Sequence, residues 1–178
     1  MLRKVKDVPS PTGLRRLLVR APIRLYHWHL GWLFGQRFVL LTHTGRLTGQ
    51  QRQVLLEVAG RDCETDAYLV ASGFGVNAQW YRNVRQDPAV TIRVGRRRAA
   101  AVAALLTPEE CGSAMAEYAT RHPRAAAQLM RVCGLQVDGS RADFCQAGRD
   151  HIRFVRLTPV GAGHSGRPSG EAGMRGSR

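Results

Sequence analysis

The sequence predicts an α+β fold, because segments with the pattern of strands are interspersed with segments of helical periodicity. Residues 68–94 have the pattern of a strand, a glycine loop, a short helix and a second strand. Residues 37–58 have the pattern of a hairpin, with two apolar strands around a loop flanked by glycines. Residues 107–132 repeat apolar side chains at helical spacing. We therefore expect one domain of strands with flanking helices, which 178 residues are enough to build.

The segment 68–94 is the part of the chain around which the other elements are organised. Its apolar run 68–71 predicts a buried strand, and residues 89–94 alternate as a second strand. Asn77 is expected to be the N-cap of a helix at 78–86, which ends just before a proline. The apolar stripe of this helix consists of Trp80, Tyr81 and Val84.

The loop Ser72–Gly75 carries two glycines, two positions apart, directly before that helix. Glycine permits positive φ and a close approach of the backbone to a ligand. The N-terminus of a helix also has free N–H groups and favours negative charge. The loop is therefore either an anion-binding site or a plain connection between two strands, and the sequence leaves both open. If it binds a ligand, a side chain in place of Gly75 is expected to abolish binding while folding survives.

The hairpin at 37–58 places basic side chains at its turn. Strands are expected at 37–42 and 53–58, with Arg46 inside the loop and Arg52 just beyond it. Two guanidinium groups at one turn can bind a phosphate through paired hydrogen bonds. The alternative is a solvated basic turn without a ligand.

Turn and capping signals predict the remaining elements. Thr107, Pro108 and Glu110 have the pattern of a helix N-terminus, and Pro123 must break the helix that follows. Further expected elements are a polar turn at 60–66, a strand at 99–106, a second helix at 124–132, an irregular stretch at 134–149 and a last strand at 151–157.

The composition limits the partners of the chain. The formal net charge is +14, which attracts polyanions such as phosphorylated cofactors, nucleic acid or an anionic membrane surface. The four cysteines stand apart from one another and no histidine lies at zinc-finger spacing, so we expect no metal site. Scattered cysteines, together with the lack of a long apolar stretch or of a signal-peptide pattern, indicate a cytoplasmic protein.

The two ends of the chain are expected to lie outside a central domain at 35–158. Residues 1–34 predict a basic helical segment, because seven basic residues and a single acid within 1–24 precede an aromatic-rich helical pattern. Such a segment either lies on an anionic surface, here the inner face of the cell membrane, or packs on the domain. Residues 159–178 are rich in Gly, Ser and Pro and predict a disordered tail.

Two motifs carry a resemblance to a known family. The first is THTGRLTGQQRQV at 42–54, and the second is VASGFGVNAQWYRNVRQDPAV at 70–90. Together they resemble the deazaflavin-dependent nitroreductase family, in which coenzyme F420 binds to a split β-barrel. The resemblance covers roughly residues 14–157. It implies an α+β split β-barrel, similar to the FMN-binding split barrels, with flanking helices.

The resemblance also implies a role for each matched position. In the first motif, the residues implied to hold the phosphate and acidic tail of the cofactor are Arg46, Thr48, Gly49 and Arg52. In the second motif, the residues implied to form the loop under the deazaflavin ring are Ser72, Gly73, Phe74 and Gly75. The residues implied to belong to the helix that packs beside the cofactor are Trp80, Tyr81 and Asn83.

The implied activity is the transfer of a hydride from reduced F420 to a small or lipophilic acceptor such as a quinone. A proton must follow the hydride, and the candidate donors are Ser72, Tyr118 and His122. Histidine is the side chain that most often changes protonation near neutral pH. Leu47 stands where many members have a second basic residue, which weakens the implied binding of the tail. The region around His122 lacks the tyrosines of the nitroimidazole-activating members, so reduction of nitro compounds is not implied.

Two alternatives to this activity remain open, and a third is not favoured by the sequence. In the first, the chain is a non-catalytic protein that binds the cofactor or a lipid on the same barrel. In the second, the barrel uses FMN in place of F420. The net charge suggests a nucleic-acid binder, but the sequence offers neither exposed aromatic residues among basic ones nor a reading helix. We therefore expect no nucleic-acid partner. The chain is expected to be a monomer or a homodimer.

Overall fold

The computed structural model of the chain describes residues 3–4 and 37–161. Apart from residues 3–4, the expected basic helical segment at 1–34 lies outside the described residues, and so does the expected disordered tail from residue 162 onward. The described part consists of a barrel of strands, a two-stranded sheet and four helices.

We number the elements in chain order. The strands are β1 (Arg3–Lys4), β2 (Phe38–Thr44), β3 (Gln51–Asp62), β4 (Ala67–Ser72), β5 (Ala89–Val94), β6 (Arg97–Leu105), β7 (Leu135–Gln136) and β8 (Arg153–Pro159). The helices are α1 (Gln79–Gln86), α2 (Pro108–Arg121), α3 (Pro123–Val132) and α4 (Arg141–Asp150). A short 3-10 turn at Gly75–Asn77 precedes α1.

Six antiparallel strands form a closed barrel in the order β2, β3, β4, β8, β6 and β5. The barrel closes where β5 pairs with β2, with Val39 opposite Val94. The short strand β1 pairs with β7 in a separate two-stranded sheet. This architecture confirms the expected split β-barrel with flanking helices.

Strand β4 forms a wall between two hydrophobic clusters, because side chains along a strand alternate in direction. Tyr68 and Val70 belong to the cluster inside the barrel. Leu69 and Ala71 point the other way and pack against a second cluster, which α2, α3 and α4 cover. The helices therefore form a layer on the outer face of β4.

Helix α1 packs its apolar side against the barrel interior. Trp80, Tyr81 and Val84 are all buried in the interior cluster, as the apolar stripe predicts. Asn83 is also buried on this helix. A buried amide requires hydrogen-bond partners, so this residue marks a polar contact at the end of the barrel.

The start of α1 differs from the prediction. Its N-cap is Ala78, so the expected cap at Asn77 is wrong. Asn77 ends the 3-10 turn, and its side chain accepts a hydrogen bond from Nη2 of Arg82 at 2.8 Å. Ala78 has no side-chain oxygen, so the N-cap residue of α1 does not cap the first N–H groups of the helix.

The start of α2 is as predicted and is a capping box. Thr107 Oγ1 accepts from the backbone N–H of Glu110 at 3.2 Å, and Glu110 Oε2 accepts from the N–H of Thr107 at 2.8 Å. His122 stands between α2 and α3 and caps both, which confirms that Pro123 breaks the helix.

The stretch 134–149 is not irregular, so that prediction is wrong. It contains β7 and most of α4. Ser140 is the N-cap of α4, and its Oγ accepts from the N–H of Asp143 at 3.2 Å. The segment after the cap shows little apolar periodicity, because α4 packs against α2 through small residues such as Gly148, which lies beside Cys111 and Met115.

Two strand ends also differ from the prediction. Strand β3 continues to Asp62 across a bulge near Gly60, so the polar turn is 63–66 and not 60–66. Strand β8 begins at Arg153 and includes Pro159, which was expected to lie in the tail. In both places pairing with β4 or β6 extends a strand beyond its apolar run.

Candidate functional site

The turn between β2 and β3 is closed by its own backbone. The N–H groups of Thr48 and Gly49 donate to the carbonyl oxygen of Gly45 at 3.1 and 2.8 Å, and the N–H of Gly45 donates to Gln50 O at 2.8 Å. Gly49 has a φ of +66°, which this turn requires. Because these N–H groups are used inside the turn, an anion at this place has to be bound mainly by side chains.

The side chain of Asn83 ties this turn to α1. Its Oδ1 accepts from the backbone N–H of Arg46 at 3.2 Å and from Nη1 of Arg46 at 3.1 Å. Its Nδ2 lies 3.2 Å from Nδ1 of His43 on β2. One buried amide thus connects a strand, the basic turn and the helix that packs on the barrel.

The two arginines of the turn differ in their surroundings. Nη1 of Arg46 also donates to Oε1 of Gln79 at 2.8 Å, so this guanidinium is held against the first turn of α1. Arg52 is exposed, and among the residues that the structure describes its guanidinium donates to the flexible side chain of Gln50, from Nη2 at 3.5 Å. Arg52 therefore keeps donors available for an anion, whereas Arg46 shapes the turn.

His43 is a buried residue of this site that the sequence prediction did not single out. It is 5% exposed and follows Val39 and Leu41 on the inward face of β2. In the β2–β3 register it stands opposite Arg52. Burial lowers the pKa of His43, the backbone of Thr44 raises it, and the Arg52 guanidinium lowers it further. Strand alternation could have revealed it, since a histidine at an inward position needs a polar partner.

Both glycines of the loop Ser72–Gly75 pack closely against other parts of the chain. Oγ of Ser72 is buried and donates to the carbonyl oxygen of Gly75 at 2.8 Å. Gly75 has a φ of +54°, and a Cβ atom there would lie 2.7 Å from the carbonyl oxygen of His151. The expectation that a side chain at Gly75 leaves folding intact is therefore wrong, because that side chain would meet backbone.

Gly73 faces helix α3 instead of open space. A Cβ atom at this position would lie 3.1 Å from Sγ of Cys133 and 3.4 Å from Cδ1 of Leu129. The thiol of Cys133 also donates to the carbonyl oxygen of Gly73 at 3.1 Å, and burial raises the pKa of Cys133 to about 11. The loop is therefore held by Leu129 of α3, by Cys133 just after that helix and by His151, so its backbone has one defined path.

The aromatic residues near the loop serve the barrel interior. Phe74 is half-buried against the interior cluster. The rings of Trp80 and Tyr81 meet edge to face, with centroids 6.0 Å apart. Both rings are buried in the interior cluster, so packing of the barrel is sufficient to explain why aromatic residues stand at these positions of the motif.

The candidate proton donors do not converge on one point. Tyr118 belongs to the cluster outside the barrel, whereas Ser72 follows Tyr68 and Val70 on the inward face of β4. Tyr118 and His122 do lie together, with ring centroids 5.3 Å apart, and His122 is exposed. Burial, and then the nearby Glu57 carboxylate, raise the pKa of Tyr118 to about 12.

Comparison with known protein families identifies the family to which this chain belongs. Residues 25–132 match the family of F420H(2)-dependent quinone reductases, a match over more than half of the chain. The chain belongs to this family. Coenzyme F420 is therefore its cofactor, and the F420H(2)-dependent quinone reductase family makes it an oxidoreductase. The resemblance seen in the two motifs is confirmed, because the match includes both.

Several solved structures are similar to this chain. A protein of unknown function from Agrobacterium tumefaciens is 16% identical, with a TM-score of 0.50 over 87% of this chain and 59% of that one. An F420-H2 dependent reductase is 20% identical, with a TM-score of 0.48 over 69% of this chain and 95% of that one. An FMN-binding, pyridoxamine 5'-phosphate oxidase-related protein from Nostoc punctiforme is 14% identical, with a TM-score of 0.45 over 85% of this chain and 82% of that one. No curated protein matches the chain by sequence.

The chemistry of the basic turn fits an F420-type cofactor, which carries a flavin-like ring on a polyanionic tail. Arg52 offers free guanidinium donors, and Arg46 adds a second positive charge a few residues away. Within residues 37–161 no group of three His, Cys, Asp or Glu side chains is placed to hold a metal ion. Over the same residues, no helix has the length and apolar character needed to cross a membrane.

Proposed function

We propose that this member of the F420H(2)-dependent quinone reductase family reduces a quinone, or another conjugated lipophilic electrophile. Reduced F420 supplies the hydride when it is bound. The residues of the chain bind the tail of the cofactor, orient its ring and hold the proton that the reduced acceptor needs. The observation that carries the proposal is the exposed, largely unengaged guanidinium of Arg52 beside a turn that Asn83 fixes.

Arg52 and Arg46 are the proposed binding residues for the anionic tail, with Thr48 and Gly49 shaping the turn. Charge-assisted hydrogen bonds of arginine to phosphate or carboxylate are among the stronger polar contacts in proteins. Arg46 is already held by Gln79 and Asn83, so its charge is fixed in place before a ligand arrives. Fixing a charge in advance lowers the entropic cost of binding.

The loop Ser72–Gly75 is proposed to lie under the ring, beside α1 with Trp80, Tyr81 and Asn83. Its useful property is its fixed backbone. Ser72 closes the loop through Gly75, and Cys133 holds the carbonyl of Gly73. A loop held in this way presents a constant surface to a planar ring, and this orients the ring.

His122 is the proposed proton donor, with Tyr118 beneath it. His122 is exposed at the break between α2 and α3, so it is open to an acceptor and to solvent. Tyr118 keeps its proton far above neutral pH, because burial and Glu57 raise its pKa to about 12. Ser72 is less suited to this role, since its hydroxyl is buried and donates to Gly75.

Exposed apolar side chains support a lipophilic acceptor. Leu47 is 85% exposed at the tip of the basic turn, and Val76 is 46% exposed in the 3-10 turn before α1. The Arg46–Gln79 hydrogen bond brings these two turns next to each other. An apolar rim at the proposed cofactor site favours an acceptor with apolar substituents over a hydrophilic one.

The test is anaerobic mixing of the full-length protein with reduced F420 and a short-chain naphthoquinone. Oxidation of the cofactor is followed by the change in its absorbance, and a sample without protein gives the background rate. We expect a rate well above background with the naphthoquinone and a lower rate with a hydrophilic nitroaromatic acceptor. Tight binding of F420 without turnover of any acceptor would support a non-catalytic cofactor-binding protein in its place.

We also propose that residues 1–24 hold the protein at an anionic membrane surface, where lipophilic quinones are found. The basis is their charge, with seven basic residues and one acid. Sedimentation with anionic vesicles should retain the full chain and release a version that begins at residue 25. Equal retention of both versions would contradict this role.

A further inference from the structure

The hydrogen bonds of Asn83 determine which tautomer His43 adopts. Two donors of Arg46, its backbone N–H and its Nη1, both point at one end of the Asn83 amide, so that end is the oxygen. The other end, the NH₂ group, therefore faces Nδ1 of His43 at 3.2 Å. Only a ring nitrogen without a proton accepts from an NH₂ group. His43 is thus neutral, with its proton on Nε2.

We propose that His43 is a positioning residue for cofactor binding, whose Nδ1 lone pair orients the Asn83 amide and thereby holds Arg46 and the basic turn in place. The inference rests on the proposed function, in which Arg46 and Arg52 bind the anionic tail of F420. His43 acts only through Asn83 and touches no substrate. Without an acceptor at Nδ1, the buried NH₂ group of Asn83 loses its contact with His43. The orientation in which the amide oxygen faces Arg46 is then no longer stabilised over the flipped one.

The surroundings of His43 favour the neutral form. The neighbouring strand β3 places Arg52 opposite His43, α1 contributes the neutral amide of Asn83, and Arg46 lies beyond that amide. Burial and Arg52 lower the pKa of His43, while the backbone of Thr44 raises it. If the ring took up a second proton, Nδ1 would become a donor facing the NH₂ group, so the amide would have to turn away from Arg46.

The test compares two variants of the full-length protein by titration with F420. His43→Leu removes the acceptor, and His43→Asn keeps an oxygen close to the position of Nδ1 but does not titrate. At neutral pH we expect His43→Leu to weaken binding at least about tenfold and His43→Asn to stay within about threefold of the unmodified protein. Because the pKa of His43 is lowered, the unmodified protein should lose affinity as the pH falls below the ordinary histidine pKa of about 6.5, while His43→Asn should not share this loss.

The tautomer is measured separately by ¹⁵N NMR of the histidine rings, in protein without cofactor. We expect the Nδ1 signal of His43 at an unprotonated shift at neutral pH, and a protonated Nδ1 would overturn the inference. Thermal melting checks that both variants fold. If His43→Leu does not fold, the pH profiles of His43→Asn and the unmodified protein decide.

These outcomes separate the inference from the function on which it rests. If the unmodified protein does not bind F420, the proposed function fails, whatever the tautomer. The role of His43 is overturned, while the proposed function stands, if the unmodified protein binds F420 and one of two results is found. The first is that His43→Leu binds F420 as tightly as the unmodified protein. The second is that His43→Asn loses affinity in acid to the same extent as the unmodified protein.

Discussion

The carbonyl oxygen of His151 lies 2.7 Å from the place that a Cβ atom at Gly75 would occupy. This contact joins the loop before α1 to the residues before β8. It shows that glycine is needed at this position for packing as well as for its φ of +54°.

Gly75→Ala should therefore destabilise the protein, whether or not a cofactor is present. The left-handed conformation costs about 1–2 kcal/mol for a residue with a Cβ, and the clash with His151 adds about 1–3 kcal/mol. Urea unfolding measures the loss in free energy of unfolding. Gly49→Ala is the matched control, because Gly49 has a φ of +66° but open space around its Cβ position. Equal losses in the two variants would show that the His151 contact is irrelevant.

Arg52→Ala should weaken the binding of F420 by about tenfold or more, since a hydrogen bond to a charged group contributes about 1.5–3 kcal/mol. Fluorescence titration with F420 at low ionic strength measures the change. Arg96→Ala removes an exposed arginine in the turn between β5 and β6 and serves as the control for net charge. The same loss of affinity in both variants would mean that only the overall field of the protein matters.

Tyr118 should titrate far above a free tyrosine, because burial and Glu57 raise its pKa to about 12. The folded state prefers the protonated phenol, so this preference stabilises the protein below about pH 10. The stabilisation is lost as the pH rises from about 10 through 12. Tyr118→Phe should lose less stability over this range. Ultraviolet difference absorbance of the phenolate gives the pKa directly, and Glu57→Gln should lower it only in part, since burial is the larger cause.

Asp66→Asn should reduce the change in free energy of unfolding between neutral and acidic pH. Asp66 pairs with Arg61, Nη2 to Oδ1 at 2.5 Å, and with Arg97. Arg61, followed by Arg97, lowers the pKa of Asp66. The pairs therefore stabilise the protein above the ordinary pKa of aspartate, and this is lost as the pH falls through the lowered value. Exposed ion pairs contribute about 1 kcal/mol or less. Asn tolerates the φ of +54° at this position, so the variant isolates the charge.

Urea unfolding of Asp66→Asn at several acidic pH values checks this prediction. The difference from the unmodified protein should vanish in strong acid, where the carboxyl group is protonated in both folded and unfolded chains. A difference that persists there would indicate a role of Asp66 in the turn that is independent of charge.

Elements with local causes were predictable from the sequence. The capping box of Thr107 and Glu110, the break at Pro123 and the strand Ala89–Val94 all depend on neighbouring residues, and all were predicted. The cap of α1 at Ala78 was missed, because a 3-10 turn precedes it, and the first residue of that turn, Gly75, packs beside the backbone of His151. That contact joins residues far apart in the chain.

The candidate site shows the same division. The motif marked Arg46, Arg52 and Asn83, but not that Asn83 fixes Arg46 while Arg52 stays exposed. His43 was overlooked because its role depends on the β2–β3 register and on the approach of α1. Sequence patterns predict which residues lie near a site, whereas the role of each residue depends on contacts between elements that are distant in the sequence.

The alternation of β4 has a consequence for how the chain unfolds. Tyr68 and Val70 serve one hydrophobic cluster and Leu69 and Ala71 the other, so neither cluster can open without exposing the strand that completes its neighbour. We therefore expect the helical layer to show no independent melting transition, and barrel and helices to unfold cooperatively as one unit. Amide protons of β4 should accordingly be among the slowest to exchange with solvent, since they are released only when the whole domain opens.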